Sequence, residues 1–261
     1  MEVRLRPVVV IKLGGSVLVD DESYRQAATF LVRRLHRCSG ERFVVVVSAR
    51  KGLTDELERI ARGITKHPNP RSLDLLWSTG EMHSVALLTL HLEELGIPVV
   101  GLNVHETGLR RTGAGQSEAG FQSLSSQLRK AFDDHSMVVV PGFFGTLTDG
   151  TIVSLGRGGS DLSAVLLAYE LEAGQCELIK DVPGYFTDDP DTAPAAERLS
   201  SITYEDAIEM TERGCELIQR VALEAARERS LPLLVRSLGD EVPGTVVSAD
   251  GSQAQTCLNE T

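Results

Sequence analysis

Ser154-Leu155-Gly156-Arg157-Gly158-Gly159-Ser160-Asp161 is the stretch on which the reading of this chain turns. Glycines and an arginine run into Ser160, and Leu162, Val165, Leu166, Ala168 and Tyr169 follow at helical spacing. The pattern predicts a helix with Ser160 as its N-cap, its first turn presented by a glycine-rich loop. Unpaired amides in such a turn carry partial positive charge and suit an anion. Glycine lets backbone approach a ligand closely. Arg157 adds a planar donor fork matched to a carboxylate or phosphate. Alone, the stretch also reads as a structural turn beside a surface arginine.

Working outward, short β-branched runs at 8–12, 43–48, 98–102, 137–141, 176–180 and 232–236 predict strands that are apolar on both faces. Helical patterns lie between them near 22–38, 73–95, 118–133, 161–173 and 215–230. This alternation predicts an α/β fold with a largely parallel sheet covered on both sides. Ligands of such sheets bind beyond the carboxyl ends of the strands. That rule gathers Lys12, Ser48, Gly142 and Asp181 along one edge. The stretch 108–120, with Arg110 and Arg111, reads either as a mobile loop over the site or as a solvated connection. A lobe boundary is expected near 145–150, where Gly145 and Gly150 bracket a turn. The polar end of the chain reads as a frayed tail.

Composition narrows the function. The 261 residues are 42% hydrophobic and carry a formal net charge of −11. That argues against a nucleic-acid surface and against anionic lipid, but leaves room for a small anionic ligand in a local site. Cys38, Cys176, Cys215 and Cys257 are far apart and read as reduced thiols of a cytoplasmic protein. No cysteine or histidine spacing suits a metal, so no metal-ligand set is assigned. No apolar run is long enough for a membrane span. The first apolar run ends at Lys12, too short for a secretory signal.

Four further segments carry chemistry. In Lys12-Leu13-Gly14-Gly15-Ser16 an ammonium stands beside amides able to wrap a phosphate, although the spacing is not that of a P-loop. Ser48-Ala49-Arg50-Lys51-Gly52-Leu53-Thr54-Asp55 offers hydroxyls and cations before a helix, suited to a carboxylate or to simple capping. Ser78-Thr79-Gly80-Glu81 supplies a carboxylate for a substrate ammonium, or one favoured only by a helix dipole. In Lys180-Asp181-Val182-Pro183-Gly184-Tyr185, Asp181 is placed to orient a lysine or a metal-bound nucleotide, and Tyr185 to pack on an adenine. The same segment is also an ordinary Pro-Gly turn.

These segments, in this order, resemble the catalytic domain of aspartate kinases in the amino-acid kinase family. The resemblance runs roughly from Val8 to Val247 and includes Pro141-Gly142-Phe143-Phe144-Gly145 and Val235-Arg236-Ser237. It implies a three-layer αβα sandwich with a mainly parallel central sheet. It also implies Mg²⁺-dependent transfer of the ATP γ-phosphoryl to the carboxylate of aspartate or a related amino acid, giving an acyl phosphate. By similarity Lys12, Asp161 and Asp181 are catalytic. Ser48, Thr54, Glu81, Arg157 and Ser160 hold the acceptor. Gly14, Gly15, Ser16, Lys180 and Tyr185 belong to the nucleotide. Residues 1–147 then form the acceptor lobe, 148–250 the nucleotide lobe and 251–261 the tail, in a protein expected to be a homodimer without regulatory domains.

The chain departs from the aspartate kinase pattern in places. Arg50, Lys51 and Trp77 make the acceptor side more basic and bulkier. Lys180 and Pro183 stand where a threonine and an aspartate are usual. Asp191 replaces an arginine, and Glu216 replaces a lysine that serves the phosphates. Lys180 is expected to restore that missing charge. Two alternatives follow: a kinase of the same fold acting on a different small anionic metabolite in a specialised pathway, or a catalytically weak ligand-binding homologue.

Overall fold

In the computed structural model, which describes residues 7–38, 40–111, 121–123, 126–239 and 244–252, the apolar runs become the middle of one sheet. Its strands are β1 (Val8–Leu13), β2 (Arg42–Val47), β3 (Val99–Gly101), β6 (Met137–Pro141), β9 (Cys176–Lys180), β10 (Ser201–Thr203), β11 (Leu233–Ser237) and β12 (Thr245–Ser248). Their spatial order is β10-β12-β11-β9-β1-β2-β6-β3. All neighbours are parallel except β11 and β12. A second sheet, in the order β5-β4-β7-β8, joins β4 (Leu109–Arg111), β5 (Phe121–Ser123), β7 (Phe144–Thr146) and β8 (Ile152–Ser154).

The central strands are buried on both faces, and alternate residues feed two cores. Val44 and Val46 join Val138, Val140 and Leu178 under α5 (Gly159–Glu170) and α7 (Arg220–Glu228). Phe43, Val45 and Val47 join Ile11 and Val139 under α1 (Asp21–Arg37) and α3 (Pro70–Glu94). The three-layer αβα architecture follows from this alternation. The remaining helices are α2 (Leu53–Ile64), α4 (Ser126–Ala131) and α6 (Tyr204–Glu212).

Several expectations need correction. Part of the stretch 108–120 is a strand, β4; residues 112–120 lie outside the described residues. The turn expected between Gly145 and Gly150 is present, as the hairpin joining antiparallel β7 and β8. The last helical pattern begins only at Arg220, because residues 215–219 run non-helically past the site. Ser78-Thr79-Gly80-Glu81 lies in the middle of the continuous α3, so Glu81 is not a carboxylate placed by the dipole of a helix start. Of the tail, residues 253–261 lie outside the described residues.

Candidate functional site

Lys12, near the end of β1, turns inward to the start of α5. Its Nζ lies 2.7 Å from Asp161 Oδ1, and Lys180 Nζ, from the last residue of β9, lies 2.8 Å from Oδ2 of the same carboxylate. The Asp161 side chain is 4% exposed and that of Lys180 12%. One carboxylate is thus shared by two ammonium groups, leaving net positive charge in a buried place. Burial lowers the Lys12 pKa, and neighbouring Lys180 lowers it further, against the opposing charge of Asp161. Burial alone would raise the Asp161 carboxyl. The two lysines outweigh it and hold Asp161 well below the usual carboxylate range, so it stays ionised. A fixed excess of positive charge in a low-dielectric setting is a preorganised anion site.

The first turn of α5 completes this corner. The expected N-cap was Ser160; the structure places the cap at Gly158, in the left-handed region with φ 79°. A side chain there would also run into Gln219, whose Cβ would lie 2.4 Å from an added Cβ. Glycine is therefore needed for both conformation and close approach. Ser160 becomes the second helical residue, packed against Gly142, and lines a cavity of about 240 Å³ with Lys12, Arg157, Asp161, Lys180 and Glu216. Phe143, with φ 67°, is one of the non-glycine residues in the left-handed region, and its N–H donates to Ser163 Oγ on α5. Arg157 Nη2 reaches Glu216 Oε2 at 3.2 Å, with the two side chains 81% and 53% exposed. Glu216 thus faces a cation across the cavity mouth.

The acceptor candidates gather one loop away. Ser48 and Thr54 are half-buried around the turn after β2, and the Ser48 N–H donates to Leu13 O. Gly80 brings α3 against this turn: an added Cβ would sit 3.1 Å from Ala49 Cβ. That approach carries Glu81, buried, to the Ala49 N–H at 3.3 Å. Burial pushes the Glu81 carboxyl up to about 7, with the Ala49 N–H pulling the other way, and Oε2 has no partner among the described residues. A substrate ammonium would satisfy that oxygen. Gly14 and Gly15 tie this cluster to the lysines. An added Cβ on Gly14 would lie 3.3 Å from Lys12 Nζ, and one on Gly15 only 2.7 Å from Ala49 O.

On the other flank Asp181 is exposed and accepts a hydrogen bond from Ser16 Oγ at 3.1 Å. Beyond it lies a cavity of about 730 Å³ bordered by Val182, Tyr185, Leu199, Met210 and Leu217. Its apolar walls suit a nucleobase better than Tyr185 alone does. The tyrosine is buried in the core, so its ring does not stand free for stacking as expected. The structure therefore brings Lys12, Arg157, Ser160, Asp161 and Lys180 to one cavity, with Ser16 and Asp181 beside it and Ser48, Thr54 and Glu81 across Gly15. Sequence reasoning missed the Arg157–Glu216 pair and the apolar cavity. The unusual lysine at 180 signalled an added positive charge at this rim, but not its contact with Asp161. Among the described residues, no group of three or more His, Cys, Asp or Glu gathers as a metal site, and no helix is long and apolar enough to cross a membrane.

Comparisons with known proteins identify the fold and the family. The model of the amino acid kinase family matches residues 7–237. The aspartate kinase of Pseudomonas putida is 36% identical over 247 residues, covering 95% of this chain and 60% of that protein. The crystal structure of aspartate kinase from Synechocystis superposes with a TM-score of 0.80 at 34% identity, covering 95% of this chain and 41% of that one. That of E. coli aspartokinase III in complex with aspartate and ADP gives 0.76 at 26% identity, covering 93% and 64%. The chain thus spans about 60% of the length of the Pseudomonas relative. With its sheet order, its glycine-rich helix start and this match over most of its length, the chain belongs to the amino acid kinase family.

Proposed function

We propose that this chain transfers the γ-phosphoryl group of ATP to a carboxylate of aspartate, yielding ADP and an acyl phosphate. The observation that carries the reading is the pair of lysines fixed on Asp161 at the start of α5. In the reaction a carboxylate oxygen of the amino acid attacks the γ-phosphorus, and the bond from that phosphorus to the β–γ bridging oxygen breaks. Two anions must meet, so the work is positioning and charge neutralisation. Lys12 and Lys180 neutralise the phosphoryl oxygens, while Asp161 orients both ammonium groups. Gly14, Gly15 and Ser16 line the path between the two reactants. Glu81 takes the substrate ammonium, with Ser48 and Thr54 beside it. Arg157 exchanges Glu216 for a substrate carboxylate.

Mg²⁺ supplies further charge neutralisation on the phosphates. Both Asp161 oxygens are engaged by lysines, so the exposed Asp181 is the carboxylate that fits such an ion. The relatives named as aspartate kinases support this substrate, and a cytoplasmic homodimer is the setting we assign to it. A phosphorylated or phosphonate acceptor is the second reading, favoured by Arg50, whose Nε is buried without a partner among the described residues. Incubation with Mg-ATP, hydroxylamine and a panel of amino acids tests both. Hydroxamate with aspartate supports the first reading. ADP formation only with a phosphorylated acceptor supports the second. Binding without either product overturns both.

A further inference from the structure

A second cavity of about 730 Å³ opens between the α2–α3 corner and the β7–β8 hairpin, and it shares no lining residue with the cavity at Lys12. Cations gather in it: Arg62 near the end of α2, Lys66 in the turn, Arg71 in the first turn of α3 and Arg111 at the end of β4. Arg62 pairs with Glu58 along α2, whereas Lys66 and Arg71 make no ion pair among the described residues. Two carboxylates also line the cavity, and backbone N–H groups already engage both. Asp74 Oδ2 accepts from Ser154 at 3.1 Å, and Asp149 Oδ1 from Thr151 at 2.8 Å. The Thr151 N–H and, more weakly, Arg71 hold the Asp149 carboxyl below its ordinary value. Such a gathering of cations stands out in a chain of net charge −11. Leu147, Val153 and Trp77 add an apolar wall. The Trp77 Nε1 is shielded from solvent and has no hydrogen-bond partner among the described residues. A buried donor left unpaired is costly, and an acceptor oxygen in the cavity would satisfy it.

We infer that this cavity is a second ligand site, for a small organic anion with two or more negative charges, and that its occupancy strengthens acceptor binding. Several cations on separate elements call for more than one negative charge. The apolar wall gives the carbon body of the ligand a surface to lie on. The link to the acceptor runs through two elements. Pro70, Asp74, Trp77 and Glu81 fall on one stripe of α3. Glu81, which we assign to the substrate ammonium, lies one turn beyond Trp77, about 6 Å along the helix axis. Ser154, held by Asp74, ends β8 three residues before Arg157. An anion in the cavity thus touches both elements that carry acceptor groups. By clamping the start of α3 onto the hairpin it favours the arrangement in which Glu81 and Arg157 are both in place. That preference for one arrangement is what an effector needs.

The coupling rests on the proposed acceptor site; the binding does not. Trp77 is the single tryptophan of the chain, so intrinsic fluorescence reports from the cavity wall itself. Titration of the whole chain with pyrophosphate and with citrate is expected to change that fluorescence saturably, and sodium chloride at matched ionic strength is not. Saturation by pyrophosphate alone assigns the site to phosphate esters, and by citrate alone to polycarboxylates. The double variant Lys66→Gln/Arg71→Gln, at two exposed positions, is expected to weaken the binding about 10-fold or more. Lys12→Ala is expected to keep the response, which separates this site from phosphate binding at the deep lysines. In calorimetry, saturating anion is expected to lower the dissociation constant for aspartate about 5-fold or more. A fluorescence change that is absent, or that survives the double variant, overturns the site. An anion that binds but leaves aspartate affinity unchanged or weaker overturns the coupling. If aspartate binds under no condition, the acceptor assignment falls instead, and the fluorescence titration still judges the cavity.

Discussion

The cavity at the sheet edge holds two kinds of ion pair, and they behave differently. Lys12, Asp161 and Lys180 form a buried cluster, each fixed by the end of a strand or the start of a helix. Arg157 and Glu216 form an exposed pair on loops a few residues away. In the buried cluster, water cannot replace a lost partner, so the lysines are held in position before any substrate arrives. In the exposed pair, water competes at little cost, so Arg157 can leave Glu216 for a ligand. The comparison teaches a division of labour. The deep cations are preorganised for transfer, and the shallow one is free to exchange.

The most severe way to break this contrast is Asp161→Asn. It keeps the shape but leaves two ammonium groups buried without a counter-charge. Stability is expected to fall by about 3–5 kcal/mol, and phosphoryl transfer by about 1,000-fold or more; denaturant unfolding and ADP release measure the two. Next comes Lys180→Ala, expected to lower turnover about 100-fold while raising KM for ATP. Unchanged kinetics would mean that the charge lost at position 216 is not restored from β9.

A smaller effect belongs to Glu81. Its folded pKa of about 7 lies above the ordinary carboxylate value, so folding favours its protonated form. Its contribution is fully favourable below the ordinary carboxylate pKa and is lost as pH rises through 7. Glu81→Gln is therefore expected to match the wild type near pH 4 and to be more stable at pH 8 without amino acid, by roughly 2–3 kcal/mol. Thermal melts at the two pH values check the sign. The same variant should weaken amino-acid binding, since the ammonium loses its carboxylate partner. The smallest effect is expected from Glu216→Gln, which should change stability by less than about 1 kcal/mol. It should lower KM for ATP a few-fold, most clearly at low ionic strength. An Asp161-sized loss there would erase the distinction between deep and shallow pairs.

How legible was all this in the sequence? The buried parallel strands were, because each is a short β-branched run whose two faces both meet helices. Lys12, Arg157 and Asp161 were also found, since strand ends and a glycine-rich helix start are local features. The second sheet was not. Its strands are three residues long, too short to show a period. The cap of α5 was misplaced because Ser160 is the better side-chain cap. Gly158 prevails through a left-handed backbone and the proximity of Gln219, a contact from 61 residues away. The Lys180–Asp161 bond bridges two elements, and no local pattern encodes it.

The position of β1 in the middle of the sheet has a consequence for how the protein is made. Its two neighbours are β2, which follows soon after it in the chain, and β9, which begins only at Cys176. While the ribosome is still producing the intervening residues, one flank of β1 has a full row of unpaired amides and carbonyls. Such an edge is sticky, and closing it requires a contact across most of the polypeptide. Nascent chains halted before residue 176 should therefore aggregate, and release of the last strands should rescue them.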